Sequence, residues 1–420
     1  MKLIIKNIKE LVSIEPNEKK HRLKVAGKDM SKLKTIKKAY LVIQNSKIAE
    51  YGLMNEYKES SVSDNEKVKI IDATGRMVFP SFCDAHTHLV YAGSREIEYV
   101  DKIRGLSYEE IAKRGGGILN SAKLLHETSD DELGEQALAR LNEIAKYGTG
   151  AVEIKSGYGL NTSDELKMLR VIKKLQIISP LTIKATFLGA HAVPAAYKGK
   201  QSDYVDLIIN EMLPQVASEN LADYIDVFCD KGFFTFEETE RILMAGMKYG
   251  LRPKIHANEL DFSGGIQVGV KYNALSVDHL EYTGDEEIEA LLGSETIPTL
   301  LPGAAFFLGM QYASARKMIQ AGLPIALASD FNPGSSPSGN MQLILSMGCI
   351  KYRMIPSEAI HAVTLNGAYA MGVSEELGSI GIGKTANIFI TKPIPTYEFM
   401  PYAYGSNKIE TIILNGKIQK

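Results

Sequence analysis

The chain has 420 residues and a formal net charge of -2, with hydrophobic and charged fractions of 45% and 23%. This length fits a large catalytic domain with a smaller companion, and the near-neutral charge excludes a dominant attraction to nucleic acid or to membranes. We therefore expect no nucleic-acid partner and no membrane partner. The sequence opens without a signal-type core, and three widely separated cysteines suit a reducing compartment, so we expect a cytoplasmic protein.

Residues 1–71 have the pattern of short strands separated by turns. An apolar stretch at 39–43 is followed by a turn signal at 44–47, and a second strand resumes at Ile48. The Lys-rich stretch 18–38 interrupts this unit and is typical of a solvated excursion. Near the other end, strands are predicted at 387–391 and 409–416, too few for a domain of their own. We expect residues 1–76 and 375–420 to form one discontinuous β-sandwich domain.

Between residues 77 and 374, apolar strands alternate with helical stretches. Eight such strands over this length predict an α/β fold, a (β/α)₈ TIM-like barrel, with its chemistry at the C-terminal ends of the strands. The predicted strands are residues 78–86, 150–155, 182–190, 224–229, 252–256, 274–279, 296–301 and 324–329, and amphipathic segments lie at 130–147, 163–175 and 236–249.

Histidine and acidic residues cluster at the ends of these predicted strands. His86 and His88 are two residues apart, so in an extended chain their imidazoles face the same side. Alone, such a pair is more often two ordinary histidines. Scattered structural histidines, however, would not share a position at strand ends. The other candidates in that position are His191, His256, Glu259, His279 and Asp330.

These residue types favour a metal site that hydrolyses its substrate. Three neutral imidazoles and one carboxylate can hold zinc or a comparable metal and leave a position for water. Such a metal lowers the pKa of its water toward neutrality, and hydrolysis is the natural consequence. Glu259, three residues after His256, could take a proton from that water and return it to a leaving nitrogen. Without these neighbours it would be interpreted as a surface acid.

Residues 378–385 match the P-loop pattern letter by letter. A working P-loop has a strand before it and a helix after it, so that backbone N–H groups meet the phosphates. Here a helix-like segment at 373–377 precedes the glycines and a strand-like segment at 386–390 follows them. The order predicts a glycine-rich turn and not a nucleotide site.

Four motifs resemble those of the amidohydrolase superfamily, and the likeness covers essentially the whole chain. The family fold that this resemblance implies is a barrel flanked by a β-sandwich from both termini. The motifs are Asp84-Ala85-His86-Thr87-His88, His256-Ala257-Asn258-Glu259, Asp278-His279 and Ser329-Asp330.

More narrowly, five segments resemble the imidazolonepropionase family. Its members hydrolyse the cyclic amide of 4-imidazolone-5-propanoate to N-formimidoyl-L-glutamate, the third step of histidine degradation. The resemblance implies this activity, one Zn²⁺ or Fe³⁺ ion per subunit, and a homodimer. The segments are 91–95 (Tyr-Ala-Gly-Ser-Arg), 114–118 (Arg-Gly-Gly-Gly-Ile), 153–160 (Glu-Ile-Lys-Ser-Gly-Tyr-Gly-Leu), 187–191 (Phe-Leu-Gly-Ala-His) and 329–334 (Ser-Asp-Phe-Asn-Pro-Gly).

The same resemblance implies roles for individual residues. Arg95 would meet the propanoate, since a guanidinium pairs with a carboxylate through two hydrogen bonds. Glu259 and His279 would move protons and polarise the ring carbonyl. The metal ligands would be His86, His88, His256 and Asp330. The substrate would be lined by Tyr108, Tyr158, His191, Glu259, Asn332, Gly334 and Ser335.

A single metal is expected, because the bridging lysine of binuclear members is not matched cleanly at Phe228-Cys229-Asp230-Lys231. Two other functions of this fold stay open. A mononuclear deaminase of cytosine or guanine-like rings would share the ligands and Glu259, but a nucleobase has no carboxylate to engage Arg95. A catalytically silent scaffold would have lost metal ligands, and all four are present. Nucleotide binding by residues 378–385 is the least favoured alternative.

Overall fold

The computed structural model describes residues 2–15, 21–58, 68–106, 110 and 116–419. Their strands form two separate sheets of eight strands each. The strands are β1 (Lys2–Val12), β2 (Thr35–Gln44), β3 (Lys47–Leu53), β4 (Val68–Asp72), β5 (Met77–Pro80), β6 (Phe82–Asp84), β7 (Thr149–Lys155), β8 (Thr182–Ala190), β9 (Tyr224–Cys229), β10 (Arg252–Ala257), β11 (Ser276–His279), β12 (Ile297–Leu300), β13 (Ala326–Leu327), β14 (Ile388–Thr391), β15 (Ile409–Leu414) and β16 (Lys417–Ile418).

The barrel sheet contains β6 to β13, all parallel and neighbours in chain order. The chain just after β6 meets the chain just after β13, where Thr87 forms a bridge with Phe331. The amide of Asp330 also donates to the carbonyl of His86 at 3.0 Å. Every residue of β7 and β9 is buried, as expected of parallel strands covered on both faces. The predicted TIM-like barrel is confirmed.

Helices cover the outside of this barrel. In the helix Asp130–Lys146 the buried residues Leu133, Ala137, Leu141 and Ile144 recur at helical spacing and form one apolar face. The three predicted amphipathic segments are helices, with small shifts at their ends. The described α-helices are Glu96–Ile103, Ile118–Glu127, Asp130–Lys146, Thr162–Ile178, Gln201–Leu207, Leu213–Ser218, Phe236–Met247, Gly265–Lys271, Asp285–Leu292, Pro302–Leu308, Ala315–Ala321, Met341–Lys351, Pro356–Val363, Leu365–Ala370 and Phe399–Tyr402. None of them is long and apolar enough to cross a membrane.

The flanking sheet joins the two ends of the chain. Its order is β16-β15-β14-β5-β1-β2-β3, with β4 beside β1. β1 pairs antiparallel with β2 and parallel with β5, and β14 pairs antiparallel with β5. Leu41, Ile388 and Ile413 lie in a hydrophobic core that belongs to this sheet. The prediction that both termini build one β unit is confirmed.

The predicted first barrel strand, residues 78–86, is wrong as a single strand. β5 ends at Pro80 and belongs to the flanking sheet, whereas β6 begins at Phe82 and starts the barrel. Between them the amide of Ser81 donates to the carbonyl of Asn387 at 2.9 Å. An apolar run does not reveal where a strand exchanges one sheet for another, because both sheets bury it. The division into residues 1–76 with 375–420 and residues 77–374 stays a prediction.

The Lys-rich stretch is not solvated throughout. Residues 18–20 lie outside the described residues, but Val25 and Met30 are buried in the barrel core. The amide of Gly27 donates to the carbonyl of Leu323 at 3.0 Å. The prediction of a solvated excursion is therefore wrong at Val25 and Met30, because the many lysines around them outweighed these two apolar residues in the sequence pattern.

The P-loop-like segment is a turn, as predicted. It is followed by β14, and Lys384 is fully buried. The Lys384 ammonium donates to the Ser374 carbonyl at 2.7 Å and the Ser379 hydroxyl at 2.6 Å, and lies 2.8 Å from the Glu15 carboxylate. The predicted helix at 373–377 is wrong, because those residues form turns after the helix Leu365–Ala370.

Candidate metal-dependent active site

A cavity of about 210 Å³ lies at the C-terminal ends of the barrel strands. The structure brings most of the predicted site residues to its wall. His86 lies directly behind, with its ring centroid 4.5 Å from that of His256. Tyr108 lies outside the described residues. The predicted residues on the wall are His88, Arg95, Tyr158, His191, His256, Glu259, His279, Asp330, Asn332, Gly334 and Ser335.

The four predicted metal ligands converge at one end of this cavity. His88 Nε2 lies 3.3 Å from His256 Nε2, and Asp330 Oδ1 lies 3.5 Å from His86 Nε2 and 3.7 Å from His88 Nε2. Ligands about 2.1 Å from a tetrahedrally coordinated zinc ion are about 3.4 Å apart. The measured separations therefore fit a metal ion among these atoms.

The protonation states of the imidazoles suit metal binding. Burial lowers the pKa of His86 and His88 well below the usual value for histidine, and neighbouring histidines and Lys155 lower both further. The rings are therefore neutral and offer lone pairs. His86 Nε2 is buried without a hydrogen-bond partner in the part of the chain that the structure describes. A buried polar atom without a partner is costly, so this nitrogen is suited to be a metal ligand, for which the ion is the partner.

Carboxylates behind the cavity hold the opposite nitrogens of two ligands. Asp278 Oδ2 lies 2.7 Å from His86 Nδ1, and Asp226 Oδ2 lies 3.0 Å from His256 Nδ1. The His86 contact is a hydrogen bond, which fixes the proton on Nδ1 and directs Nε2 to the metal. At His256 the backbone amide donates to Asp226 Oδ1 at 3.1 Å, and the same carboxylate lies beside the ring. Burial opposes ionisation of Asp226, but His256 and Lys155 hold its pKa well below the usual range.

Lys155 connects these carboxylates. Its Nζ lies 2.8 Å from Asp226 Oδ2, 3.5 Å from Asp278 Oδ2 and 2.6 Å from Glu153 Oε1. These partners of Lys155 were not predicted from the sequence. The sequence signal for them was the spacing of Glu153 and Lys155, which are two residues apart in one strand. Both side chains therefore lie on the same face of that strand, and two charges enter the barrel.

Glu259 and His279 face each other across the metal end of the cavity, with His279 Nε2 3.6 Å from Glu259 Oε2. Burial raises the pKa of Glu259 to about 7, and Glu281 and Asp330 add to this while His279 opposes it. Burial would lower the pKa of His279, but Glu259 and Glu281 outweigh it and raise that pKa to about 10. The pair therefore holds a proton near neutral pH.

Glu281 was missed in the sequence. Its Oε2 lies 3.7 Å from His279 Nδ1, and both carboxyl oxygens are buried without hydrogen-bond partners among the described residues. His279 and Asp330 also have positive φ angles of 82° and 54°. Such backbone strain in non-glycine residues is concentrated at functional sites. The signal for Glu281 was its place two residues beyond His279, at the same strand end.

Arg95 forms the opposite end of the cavity. Its Nε donates to Ser121 Oγ at 2.8 Å, while its Nη2 is buried and has no hydrogen-bond partner among the described residues. Its guanidinium carbon lies 5.8 Å from the Tyr158 ring centroid. A Cβ on Gly334 would come within 2.4 Å of Arg95 Nη1, so this position leaves room for the guanidinium. The arrangement offers free donors to an anionic group.

The loop after β13 is locked by Asn332. Its side-chain oxygen accepts from the amides of Gly334 at 2.7 Å and Ser335 at 2.8 Å, and its nitrogen donates to the Asp330 carbonyl at 2.6 Å. Ser335 Oγ donates to Asp330 Oδ2 at 3.0 Å. These bonds aim the Asp330 carboxylate at the ligand histidines. Contact of Asn332 with substrate stays a prediction.

His191 stands between the two ends of the cavity. Its Nδ1 lies 3.0 Å from the Gly157 carbonyl, which directs a proton to that nitrogen and leaves Nε2 as an acceptor. Burial is the main cause that lowers the pKa of His191 to about 3. Its ring stacks on that of His88, with centroids 5.1 Å apart.

Comparisons with known proteins agree with this architecture. The model of the amidohydrolase family matches residues 238–419. Among solved structures, a triazine hydrolase variant has a TM-score of 0.73 at 15% identity, covering 99% of this chain and 94% of its own. Guanine deaminase from C. acetobutylicum has a TM-score of 0.71 at 16% identity, with both chains covered completely. At these identities the likeness establishes the fold alone.

Curated relatives are much nearer in sequence. The imidazolonepropionase of Flavobacterium johnsoniae is 57% identical over 99% of both chains. That of Christiangramia forsetii is 55% identical over 100% of both chains. With this identity over the full length, the chain belongs to the imidazolonepropionase family.

Proposed function

We propose that this chain hydrolyses the cyclic amide C–N bond of 4-imidazolone-5-propanoate to give N-formimidoyl-L-glutamate, the third step of histidine degradation. One observation carries the proposal. One cavity has a cluster of metal-ligand atoms at one end and, at the other, a buried guanidinium nitrogen of Arg95 that has no hydrogen-bond partner among the described residues. A substrate with a polar ring and a short chain that ends in a carboxylate matches both ends. The membership in the family supports the same substrate.

The proposed metal site is mononuclear and consists of His86, His88, His256 and Asp330. Three imidazoles and one carboxylate suit Zn²⁺ or Fe³⁺. When bound, such an ion supplies a water molecule with a pKa lowered toward neutrality.

In the proposed mechanism Glu259 accepts a proton as the water oxygen adds to the ring carbonyl carbon. His279, which burial alone would leave neutral but which Glu259 and Glu281 keep protonated, donates a hydrogen bond to the carbonyl oxygen as negative charge develops there. The C–N bond then breaks, and the proton held by Glu259 passes to the leaving nitrogen. The water oxygen ends in the new carboxyl group and one water proton ends on the leaving nitrogen. The other proton is released when the carboxyl group ionises.

Recognition of the substrate is assigned to the Arg95 end. The guanidinium of Arg95 pairs with the propanoate, and Tyr158 and His191 border the ring between the two ends. A cytosine or guanine ring would leave Arg95 buried without an anionic partner. The geometry therefore favours the imidazolone over a nucleobase.

We also propose that the enzyme is a cytoplasmic homodimer. The family resemblance carries the oligomeric state, and the free thiols of Cys83, Cys229 and Cys349 support a reducing compartment. Sedimentation of the purified protein tests the homodimer, since a monomer at micromolar concentration would contradict it.

The test of function is a hydrolysis assay on purified protein of known metal content. N-formimidoyl-L-glutamate should form from 4-imidazolone-5-propanoate, should cease to form after chelation, and should form again when zinc or iron is restored. Cytosine and guanine serve as comparison substrates. Faster release of ammonia from either of them than hydrolysis of the imidazolone would contradict the proposal.

A further inference from the structure

Two lysines are fully buried inside the barrel, beneath the proposed metal site. The side chains of Lys155 and Lys254 have 0% exposure, as does that of Glu153, which lies between them. Burying an ammonium group is costly unless charged or polar partners surround it. A barrel interior is more often filled by branched apolar side chains. The partners of each lysine therefore indicate which groups its charge holds in place.

The ammonium of Lys155 touches the two carboxylate oxygens that hold the metal ligands. Asp278 Oδ2, 3.5 Å from Lys155 Nζ, is the atom that lies 2.7 Å from His86 Nδ1. Asp226 Oδ2, 2.8 Å from Lys155 Nζ, is the atom that lies 3.0 Å from His256 Nδ1. One cation thus links two carboxylate–histidine pairs that come from β9, β10, β11 and the segment just after β6.

We propose that Lys155 is a positioning residue that sets the affinity of this site for its metal ion by holding Asp226 and Asp278 against His256 and His86. This inference rests on the proposed metal site but not on the proposed substrate. Without the ammonium, two buried carboxylates would face each other with no cation between them, and their repulsion would separate them. His86 would then lose the acceptor that fixes its orientation and its Nδ1 proton, and His256 would lose the carboxylate beside its Nδ1.

Lys254 provides a matched control in the same interior. Its Nζ contacts the Glu153 carboxylate and the carbonyls of Ala85 and Ala370, at 3.0 and 3.1 Å. In the part of the chain that the structure describes, no imidazole of the ligand set is hydrogen-bonded to these three groups. Removing its charge tests the loss of a buried lysine without breaking a carboxylate–histidine pair.

The experiment measures Zn²⁺ binding by the full-length metal-free chain in competition with a chromophoric chelator. Lys155→Met should raise the dissociation constant for Zn²⁺ by about 10- to 100-fold, the usual effect of losing a group that supports metal ligands. Lys254→Met should change it by less than about threefold, because the ligand histidines keep their partners. Circular dichroism and thermal unfolding establish that each variant is folded.

Lys155→Gln is the second variant, because an amide can still donate to Asp226 and leaves a smaller void. Affinity between those of Lys155→Met and wild type would support the proposal. Equal losses of affinity in Lys155→Met and Lys254→Met would overturn it and assign the effect to a missing buried charge. Wild-type affinity in Lys155→Met would also overturn it, as would failure of both Lys155 variants to fold where Lys254→Met folds. Absence of zinc binding by the wild-type chain would instead contradict the proposed metal site on which this inference rests.

Discussion

The two ends of the active-site cavity are built in different ways. At the metal end the four candidate ligands are at most 2% exposed, and carboxylates from β9 and β11 contact two of them from behind. At the other end Arg95 comes from the loop between β6 and the helix Glu96–Ile103, and its Nε is held by Ser121. In barrels of this class, strand ends carry the chemistry and loops carry specificity. Substitutions at the metal end should therefore change metal content or turnover, whereas substitutions at the Arg95 end should change KM.

The largest effect is expected for His86→Ala. This substitution removes one ligand and leaves Asp278 buried without its imidazole partner, so bound metal and hydrolysis should be lost together, with a fall in turnover of about 10⁴-fold or more. Metal analysis and the hydrolysis assay on one sample check this. The control is His126→Ala, whose exposed imidazole pairs with Asp164 away from the cavity. Full metal content in His86→Ala would remove this residue from the ligand set.

Glu259→Gln should separate metal binding from proton transfer at the same end of the cavity. The amide keeps the shape of the side chain but cannot accept a proton from water. We expect metal content to remain at the wild-type level while kcat falls by about 10²- to 10⁴-fold. Glu289→Gln, the same change on an exposed helix face, should leave kcat unaffected. Wild-type turnover in Glu259→Gln would assign the proton transfer to another group, with His279 the next candidate.

Arg95→Ala should act on recognition and leave the metal end intact. Losing a charged hydrogen-bond donor to the propanoate should lower kcat/KM by about 100-fold, chiefly through KM, with metal content unchanged. Arg95→Lys keeps the charge without the two-pronged geometry and should fall between wild type and alanine. An unchanged KM in Arg95→Ala would refute the assignment of the substrate carboxylate to this end, even if the metal site held.

The same contrast explains what the sequence could predict. Strand ends carrying His86, His256 and Asp330 were found because periodicity locates strands and the barrel brings their ends together. The contacts of Lys155 with Asp226 and Asp278 were not found, since they depend on inward-facing side chains that meet across strands. The passage of residues 77–84 from one sheet to the other was missed for a related reason. An apolar run specifies burial but not the neighbour that provides it.

Gly334→Ala should produce the smallest effect and test how tightly the recognition end is packed. The new Cβ would lie 2.4 Å from Arg95 Nη1, the far end of a flexible side chain, so the guanidinium should shift while the backbone stays in place. We expect KM to rise by about tenfold or less, because the charge stays near the cavity but its hydrogen bonds weaken. Gly134→Ala is the matched control, since its Cβ would meet nothing within 4 Å in the helix Asp130–Lys146. If Gly334→Ala instead lowered metal content, the loop that carries Asp330 would have moved, and the two ends would not be independent.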